Sequence, residues 1–264
     1  MKKIVMNDPV KTILNNIDGD RPFALYCDYD GTLTPIVQNP SDAVLSQEHR
    51  EFLQSLAMET QVEFTLISGR PIQTLKTLSG LHGIHWVGTH GYEIETADGH
   101  VTYTIDAGFW KQIESTLEDR FSPLLEGIPG TRMEAKPASF AFHYRQVDPE
   151  RHTEIVQQAD ALLNELTDGN VNIIRGKEII EVKPKGFDKG IGLLYLRNLL
   201  GLSEHQELYL GDDTTDQDAL RALPDSALKI WVGESMSDEA QYNLPDVSAV
   251  YWLLQGIKNR VAGE

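Results

Sequence analysis

One repeated ending constrains the fold more than any other feature: short apolar runs stop abruptly at acidic or glycine-bearing turns. Phe23-Ala24-Leu25-Tyr26-Cys27 stops at Asp28, Val62 to Ile67 stops at Ser68-Gly69, and Glu207-Leu208-Tyr209-Leu210 stops at Gly211-Asp212-Asp213. Short apolar runs closed by turn residues read as buried strands. Between the first two, Leu45, Phe52, Leu53 and Leu56 recur at helical spacing, with Ser46 as N-cap of a helix to Met58 and His49-Arg50-Glu51 on its outer face. Further along, Lys189 to Leu200, Asp216 to Ala222 and Ala249 to Val261 read as helices, and Ala227 to Val232 as a strand. Strands alternating with helices argue for a parallel α/β sheet.

The middle of the chain has a different order. Phe109 to Leu125 and Pro149 to Leu166 read as helices; Arg132 to Lys136, Ser139 to Gln146, Val171 to Ile174 and Glu178 to Val182 read as strands. An α-β-β-α-β-β succession makes a small antiparallel sheet with two helices. The expectation is therefore an α/β protein with a parallel-sheet core from residues 1–105 and 184–264, and an inserted α+β domain over residues 106–183. Hinges are expected near 104–108 and 182–186, where Pro184 and Gly186 punctuate the return. No internal repeat or low-complexity segment suggests any other organisation.

Composition narrows the chemistry. A formal net charge of −17 disfavours nucleic acid and anionic membrane as partners. The N-terminal Met1-Lys2-Lys3-Ile4-Val5-Met6-Asn7-Asp8-Pro9 lacks an apolar stretch of signal-peptide length, and no window approaches the roughly 18 apolar residues of a membrane span. A cytoplasmic monomer acting on a small molecule is expected. The single cysteine, Cys27, excludes an internal disulfide and a cysteine-based zinc site, and its apolar surroundings mark it as a buried hydrophobe.

In an open parallel sheet, ligands sit beyond the C-terminal ends of the strands. Asp28-Tyr29-Asp30-Gly31-Thr32-Leu33, Ser68-Gly69-Arg70, Lys189 at a helix start, and Gly211-Asp212-Asp213-Thr214-Thr215-Asp216 place carboxylates, hydroxyls, a lysine and glycines there. That set suits phosphoryl transfer. A phosphate monoester repels a carboxylate nucleophile until its charge is neutralised, and magnesium takes oxygen ligands from a few carboxylates, phosphate and water. Asp28 and Asp212 could hold it, with the Asp30 backbone carbonyl as a third protein ligand. Asp28 could then attack phosphorus, Asp30 could serve as acid and base, and Thr32, Ser68 and Lys189 could bind the transferring oxygens. Taken singly, each segment is also an ordinary turn, N-cap or solvated lysine; their order along the chain is what carries weight.

These four segments in order resemble the motifs of the haloacid-dehalogenase-like (HAD) phosphatases. The resemblance implies a Rossmann-like HAD core with an α+β cap of the C2B type inserted between the second and third motifs. It implies Asp28 as nucleophile, Asp30 as acid/base, and Thr32, Ser68, Gly69 and Lys189 at the phosphate. It also implies Asp28, Asp30 and Asp212 at Mg2+, with Asp213 or Asp216 supporting the metal site. Over nearly the whole chain the finer resemblance is to trehalose-6-phosphate phosphatases, carried by Gly88-Thr89-His90-Gly91, Glu134-x-Lys136-x-x-Ser139, His143-Tyr144-Arg145 and Gly176-Lys177-Glu178-Ile179-Ile180-Glu181-Val182-Lys183-Pro184. It implies sugar binding by His90 and Gly91 in the core and by Glu134, Lys136 and Glu181 in the cap, with the cap closing over the sugar. His143 and Arg145 read as structural. Phosphatases of glucosylglycerol phosphate, sucrose phosphate or mannosylphosphoglycerate, and an inactive sugar-phosphate sensor, are the competing readings.

Overall fold

The computed structural model describes residues 9–126, 128–166, 170–176 and 178–263. The N-terminal segment before Pro9 and Lys177 of the return-strand motif lie outside the described residues. The chain divides into two compact units, one made of Met1–Thr104 with Asp188–Glu264 and the other of Ile105–Phe187.

The elements run in the order α1 (Pro9–Leu14), β1 (Phe23–Asp28), α2 (Gln47–Ala57), β2 (Val62–Ile67), α3 (Ile72–Ser79), β3 (His85–Gly88), β4 (Glu93–Glu95) and β5 (Val101–Tyr103). The second unit contributes α4 (Ala107–Glu126), β6 (Arg132–Lys136), β7 (Ser139–His143), α5 (His152–Leu166), β8 (Val171–Gly176) and β9 (Ile179–Pro184). The chain then closes with α6 (Lys189–Leu200), β10 (Gln206–Gly211), α7 (Asp216–Ala222), β11 (Leu228–Val232), β12 (Tyr242–Leu244) and α8 (Val247–Val261).

The first unit is built on one sheet ordered β12-β11-β10-β1-β2-β3-β4-β5. Pairings from β12 through β3 are parallel, and β4 and β5 add an antiparallel edge. Every residue of β1 is buried, as a central parallel strand covered on both faces requires. Phe23, Leu25 and Cys27 face one apolar cluster with Leu53, Leu56, Leu75, Leu253 and Leu254 of α2, α3 and α8. Ala24 and Tyr26 face the other with Leu193, Leu196 and Leu220 of α6 and α7. Each such aliphatic side chain contributes roughly 1.5–3 kcal/mol on full burial. The chain leaves β1 for β2 on one side and later returns through β10 on the other, so the topological switch point lies between β1 and β10.

Capping fixes where the site-bearing helices begin. Ser46 accepts from the His49 backbone N–H at 3.1 Å, as its sequence position suggested. Asp188 accepts from Ile191 N–H at 2.8 Å and so starts α6 at Lys189. The short elements α1, α3, β3, β4, β5 and β12 lack a distinctive apolar run, and sequence reasoning passed over them.

The second unit is a four-stranded antiparallel sheet ordered β6-β7-β9-β8, with α4 and α5 on one face. Alternation separates the two faces. Phe140, Phe142, Ile180 and Val182 pack against Trp110, Leu117 and Phe121 of α4 and Ile155, Ala159 and Leu163 of α5. Several limits differ from the sequence expectation: α4 starts two residues earlier at Ala107, β8 runs on to Gly176, and β9 spans Ile179–Pro184 rather than Glu178 to Val182. β7 ends at His143 rather than Gln146, because Val147 N–H turns back to Tyr144 C=O at 3.1 Å. The helix expected from Pro149 opens as a 3-10 turn, Pro149–Arg151, capped by Asp148, and becomes α-helical at His152.

Candidate active site

The loop after β1 is shaped by its own backbone. Leu33 and Thr34 N–H both donate to Tyr29 C=O, and Gly31 N–H donates to Thr34 C=O at 2.7 Å. Gly31 takes φ +87, and a Cβ there would fall 2.0 Å from Asp212 Oδ2. Both the dihedral and the close approach require glycine. Gly31→Ala is expected to displace the Asp212 carboxylate and cut kcat/KM at least tenfold, beyond the strain of about 1–2 kcal/mol that a left-handed Ala carries. Steady-state kinetics with a magnesium titration checks this.

Asp28 ends β1 and is almost completely buried. Lys189, also buried, places Nζ 2.7 Å from Asp28 Oδ1 and 2.7 Å from Asp216 Oδ1. Asp216 is fully enclosed; besides Lys189 it accepts from Tyr209 Oη at 2.6 Å and from the Asp212 and Asp213 N–H groups at 3.2 and 2.9 Å. Asp212 accepts from Thr32 Oγ1 at 3.1 Å. Burial pushes the Asp28 carboxyl well above the usual range against the pull of Lys189, with Asp216 and Asp212 adding to the rise. Burial and Asp216 together push Asp212 up to about 6. Burial works against the Lys189 charge, but Asp28 and Asp216 outweigh it, and its pKa stays above the ordinary lysine value.

Asp28, Asp212 and Asp216 each offer an oxygen within 4.8 Å of the others. Three carboxylates facing one lysine leave excess negative charge, and all the donor atoms are hard oxygens. The residues therefore fit a divalent cation such as magnesium. Asp216 has both oxygens engaged by Lys189, Tyr209 and two backbone N–H groups, so Asp28 and Asp212 are the carboxylates placed to face a cation and Asp216 backs them.

Asp30 is placed otherwise. Its carboxylate is held by Arg70, Nε to Oδ2 at 2.6 Å and Nη2 to Oδ1 at 2.7 Å, and it is not a member of the three-carboxylate cluster. Any contact of Asp30 with a cation would thus come from its backbone, as the sequence reading specified. Asp213 is drawn into its own turn by Thr214 and Thr215 hydroxyls at 3.2 and 3.3 Å.

A pocket of about 430 Å³ opens at these strand ends, lined by Asp28, Asp30, Ser68, Gly69, Arg70, His90, Lys189, Asp212, Asp213 and Thr215, with Ile36 and Pro40 at its wall. Ser68 is buried and its Oγ accepts from Arg70 N–H at 3.1 Å, leaving its proton to donate. Thr32 was expected at the phosphate; its side chain is fully buried, its hydroxyl donates to Asp212, and it is not itself among the residues lining the pocket. Thr89 and His90 adopt left-handed backbone, φ 50 and 55, held by Thr89 Oγ1 on Glu93 at 2.6 Å and His90 N–H on Ser68 C=O at 3.0 Å. A Cβ on Gly69 would strike the His90 ring at 2.4 Å. Gly91, φ +97, brings its Cα so near α6 that a Cβ would fall 2.0 Å from Asp188 C=O, while its own carbonyl accepts from Thr104 Oγ1 at 2.9 Å.

In the second unit, Glu134, Ala141 and Glu181 lie in one row across β6, β7 and β9, with Lys136 opposite Ser139 in the next. Ser139 Oγ donates to Glu181 Oε1 at 2.7 Å, and Lys136 and Lys183 Nζ lie 3.6 and 3.7 Å from Glu181. His143 pairs with Glu134 at 2.9 Å and lowers its pKa. Arg145 pairs with Glu178 at 3.2 Å. The polar face thus has a floor of small residues, Ser139 and Ala141, flanked by acceptors and donors that suit vicinal hydroxyls.

The trehalose-phosphatase family profile matches residues 26–246, spanning all four core segments and the whole second unit. The chain belongs to the trehalose-phosphatase family. Trehalose-phosphate phosphatase B of Arabidopsis thaliana is 27% identical, over 96% of this chain and 71% of that protein. The trehalose-6-phosphate phosphatase structure of Aspergillus fumigatus is 27% identical with a TM-score of 0.69, covering 95% of this chain and 97% of that one. A haloacid dehalogenase-like hydrolase from Bacteroides thetaiotaomicron, at 16% identity and TM-score 0.59, shares the fold. Both the family and the fold class expected from the motifs hold, and as a member of this family the chain is a phosphatase. Among the described residues, no helix is long and apolar enough to cross a membrane.

Two residues of the site escaped sequence reasoning. Arg70 was visible only as the end of Ser-Gly-Arg, and its partner lies 40 residues away. Tyr209 looked like one more apolar strand residue, and nothing in the sequence marks its hydroxyl for Asp216.

Proposed function

We propose that this chain hydrolyses trehalose 6-phosphate to trehalose and phosphate in a magnesium-dependent reaction, through an aspartyl-phosphate, a mixed anhydride, on Asp28. The observation that carries the chemistry is Asp28 buried at the switch point, paired with Lys189 and within reach of Asp212. A bound magnesium ion would neutralise the substrate phosphate and stabilise the charge that develops in transfer.

In the first step an Asp28 carboxylate oxygen forms a bond to phosphorus as the phosphorus–sugar oxygen bond breaks, and Asp30, which must enter this step as the carboxylic acid, gives its proton to the leaving oxygen. In the second, Asp30 takes a proton from water as that oxygen attacks phosphorus, releasing phosphate and restoring Asp28. Lys189 and Ser68 hold the transferring oxygens, and Gly69 lines the same pocket. Thr32 steadies Asp212, and Asp216 with Tyr209 fixes Lys189. His90 and Gly91 in the core and Glu134, Lys136 and Glu181 in the inserted unit bind the sugar, the inserted unit serving as its specificity domain. Magnesium would be held by Asp28, Asp212 and the Asp30 carbonyl, with Asp213 and Asp216 behind.

A substrate panel tests the reading. Phosphate release should be fastest with trehalose 6-phosphate, cease with EDTA and return with added magnesium. Comparable or better turnover of glucosylglycerol phosphate or sucrose phosphate would overturn the substrate, and a rate indifferent to EDTA would overturn the metal.

A further inference from the structure

Arg70 makes the most specific side-chain contact in the pocket that the reaction as written leaves without a role. Its guanidinium meets both oxygens of Asp30, at 2.6 and 2.7 Å, in the parallel two-bond geometry that fixes a carboxylate's plane as well as its position. The pair is partly shielded, with side-chain exposures of 17% and 30%. An exposed ion pair adds little stability, so its value here is geometric.

The arginine is itself anchored. Its N–H donates to Ser68 Oγ at 3.1 Å, and its carbonyl accepts from Thr89 N–H at 2.8 Å. The ion pair therefore joins the loop after β1, which carries Asp28 and Asp30, to the loop after β2, which carries Ser68. Without it, Asp30 lies two residues beyond the nucleophile on a turn whose shape is set by backbone bonds at Tyr29, Gly31 and Thr34. Those bonds leave the Asp30 side-chain rotamer undetermined.

We propose that Arg70 is a positioning residue for the acid/base step: it holds the Asp30 carboxyl group in register with Ser68 and hence with the ester oxygen that must be protonated. This rests on the reading of Asp30 as acid and base. Arg70 exchanges no proton. Lysine would keep the charge but could not hold two carboxylate oxygens in one plane.

Protonation matters in proportion to how poor the leaving group is. A sugar alkoxide needs a proton, whereas p-nitrophenolate leaves without one. Three variants, Arg70→Lys, Asp30→Asn and the double variant, should be compared on trehalose 6-phosphate and p-nitrophenyl phosphate, with thermal melts to confirm folding. Asp30→Asn sets the scale, since loss of an acid typically costs about 10²–10⁴-fold. For Arg70→Lys the expected result is a fall in kcat on the sugar phosphate at least tenfold larger than on the aryl ester, with KM little changed. In the Asp30→Asn background the same substitution should add less than about threefold.

Equal losses on both esters would overturn the proposal and make Arg70 a general phosphate or folding contact. So would an undiminished effect of Arg70→Lys in the Asp30→Asn background. If Asp30→Asn itself loses the two esters equally, the acid/base reading of Asp30 fails and the positioning role falls with it. If Asp30→Asn discriminates between them and Arg70→Lys does not, the positioning role alone fails.

Discussion

Replacing Asp28 by Asn is expected to lower turnover by at least about four orders of magnitude, the scale on which loss of a covalent nucleophile is usually felt, while raising the melting temperature of the metal-free protein. The two effects share one cause. Asp28 sits buried with Asp212 and Asp216 around a single ammonium group, and burial disfavours its charge. An amide of the same shape removes that charge, and its oxygen can still accept from Lys189. A gain of about 1 kcal/mol corresponds to roughly 2–4 °C for a protein of this size. Magnesium should then raise the melting temperature of the parent and not of the variant. Retained turnover would remove Asp28 as nucleophile; a lowered melting temperature would show that its charge is a net support of the fold.

The second large effect belongs to Lys189. Its Nζ is shared between two buried carboxylates, and Lys189→Met would leave both facing each other without compensation. Breaking one side of a buried pair typically costs about 3–5 kcal/mol. Denaturant unfolding should register that loss, and phosphatase activity should vanish with it. Combining Lys189→Met with Asp216→Asn should recover part of the stability and none of the activity. This separates the electrostatic demand of the buried cluster from the need for a cation at the transferring phosphate. Full additivity of the two substitutions would mean that Lys189 and Asp216 are not energetically coupled.

What the chain disclosed in advance, and what it withheld, follow from the range of the interactions concerned. Asp28 was legible because an apolar run that ends at Asp-x-Asp-Gly states both the strand and its C-terminal turn. Lys189 was legible because it opens a helical pattern in order after the first two segments, and Asp188 proves to cap that helix. The antiparallel unit could be read from its order of elements, whereas Glu134 and Glu181 stood out only through the resemblance to trehalose-6-phosphate phosphatases, and their common row emerges from the strand register. Side-chain direction was not legible. Whether Thr32 faces a ligand or Asp212 depends on the Gly31 dihedral and on a strand 180 residues later. Arg70 and Tyr209 acquire meaning only through partners that the sheet brings to them. The three-residue strands β4 and β5 bury too few side chains to leave a periodic signal.

Gly91 carries a consequence for how such a protein can change over time. Its carbonyl receives Thr104, the last residue before the chain leaves the core, and its Cα rests against the carbonyl of Asp188, the first residue after the chain returns. Departure and return are thus pinned to one backbone position beside His90. What intervenes can lengthen, shorten or be exchanged without altering the span the core must bridge. Novel leaving groups could therefore be acquired by trading one module, with the phosphate chemistry inherited intact.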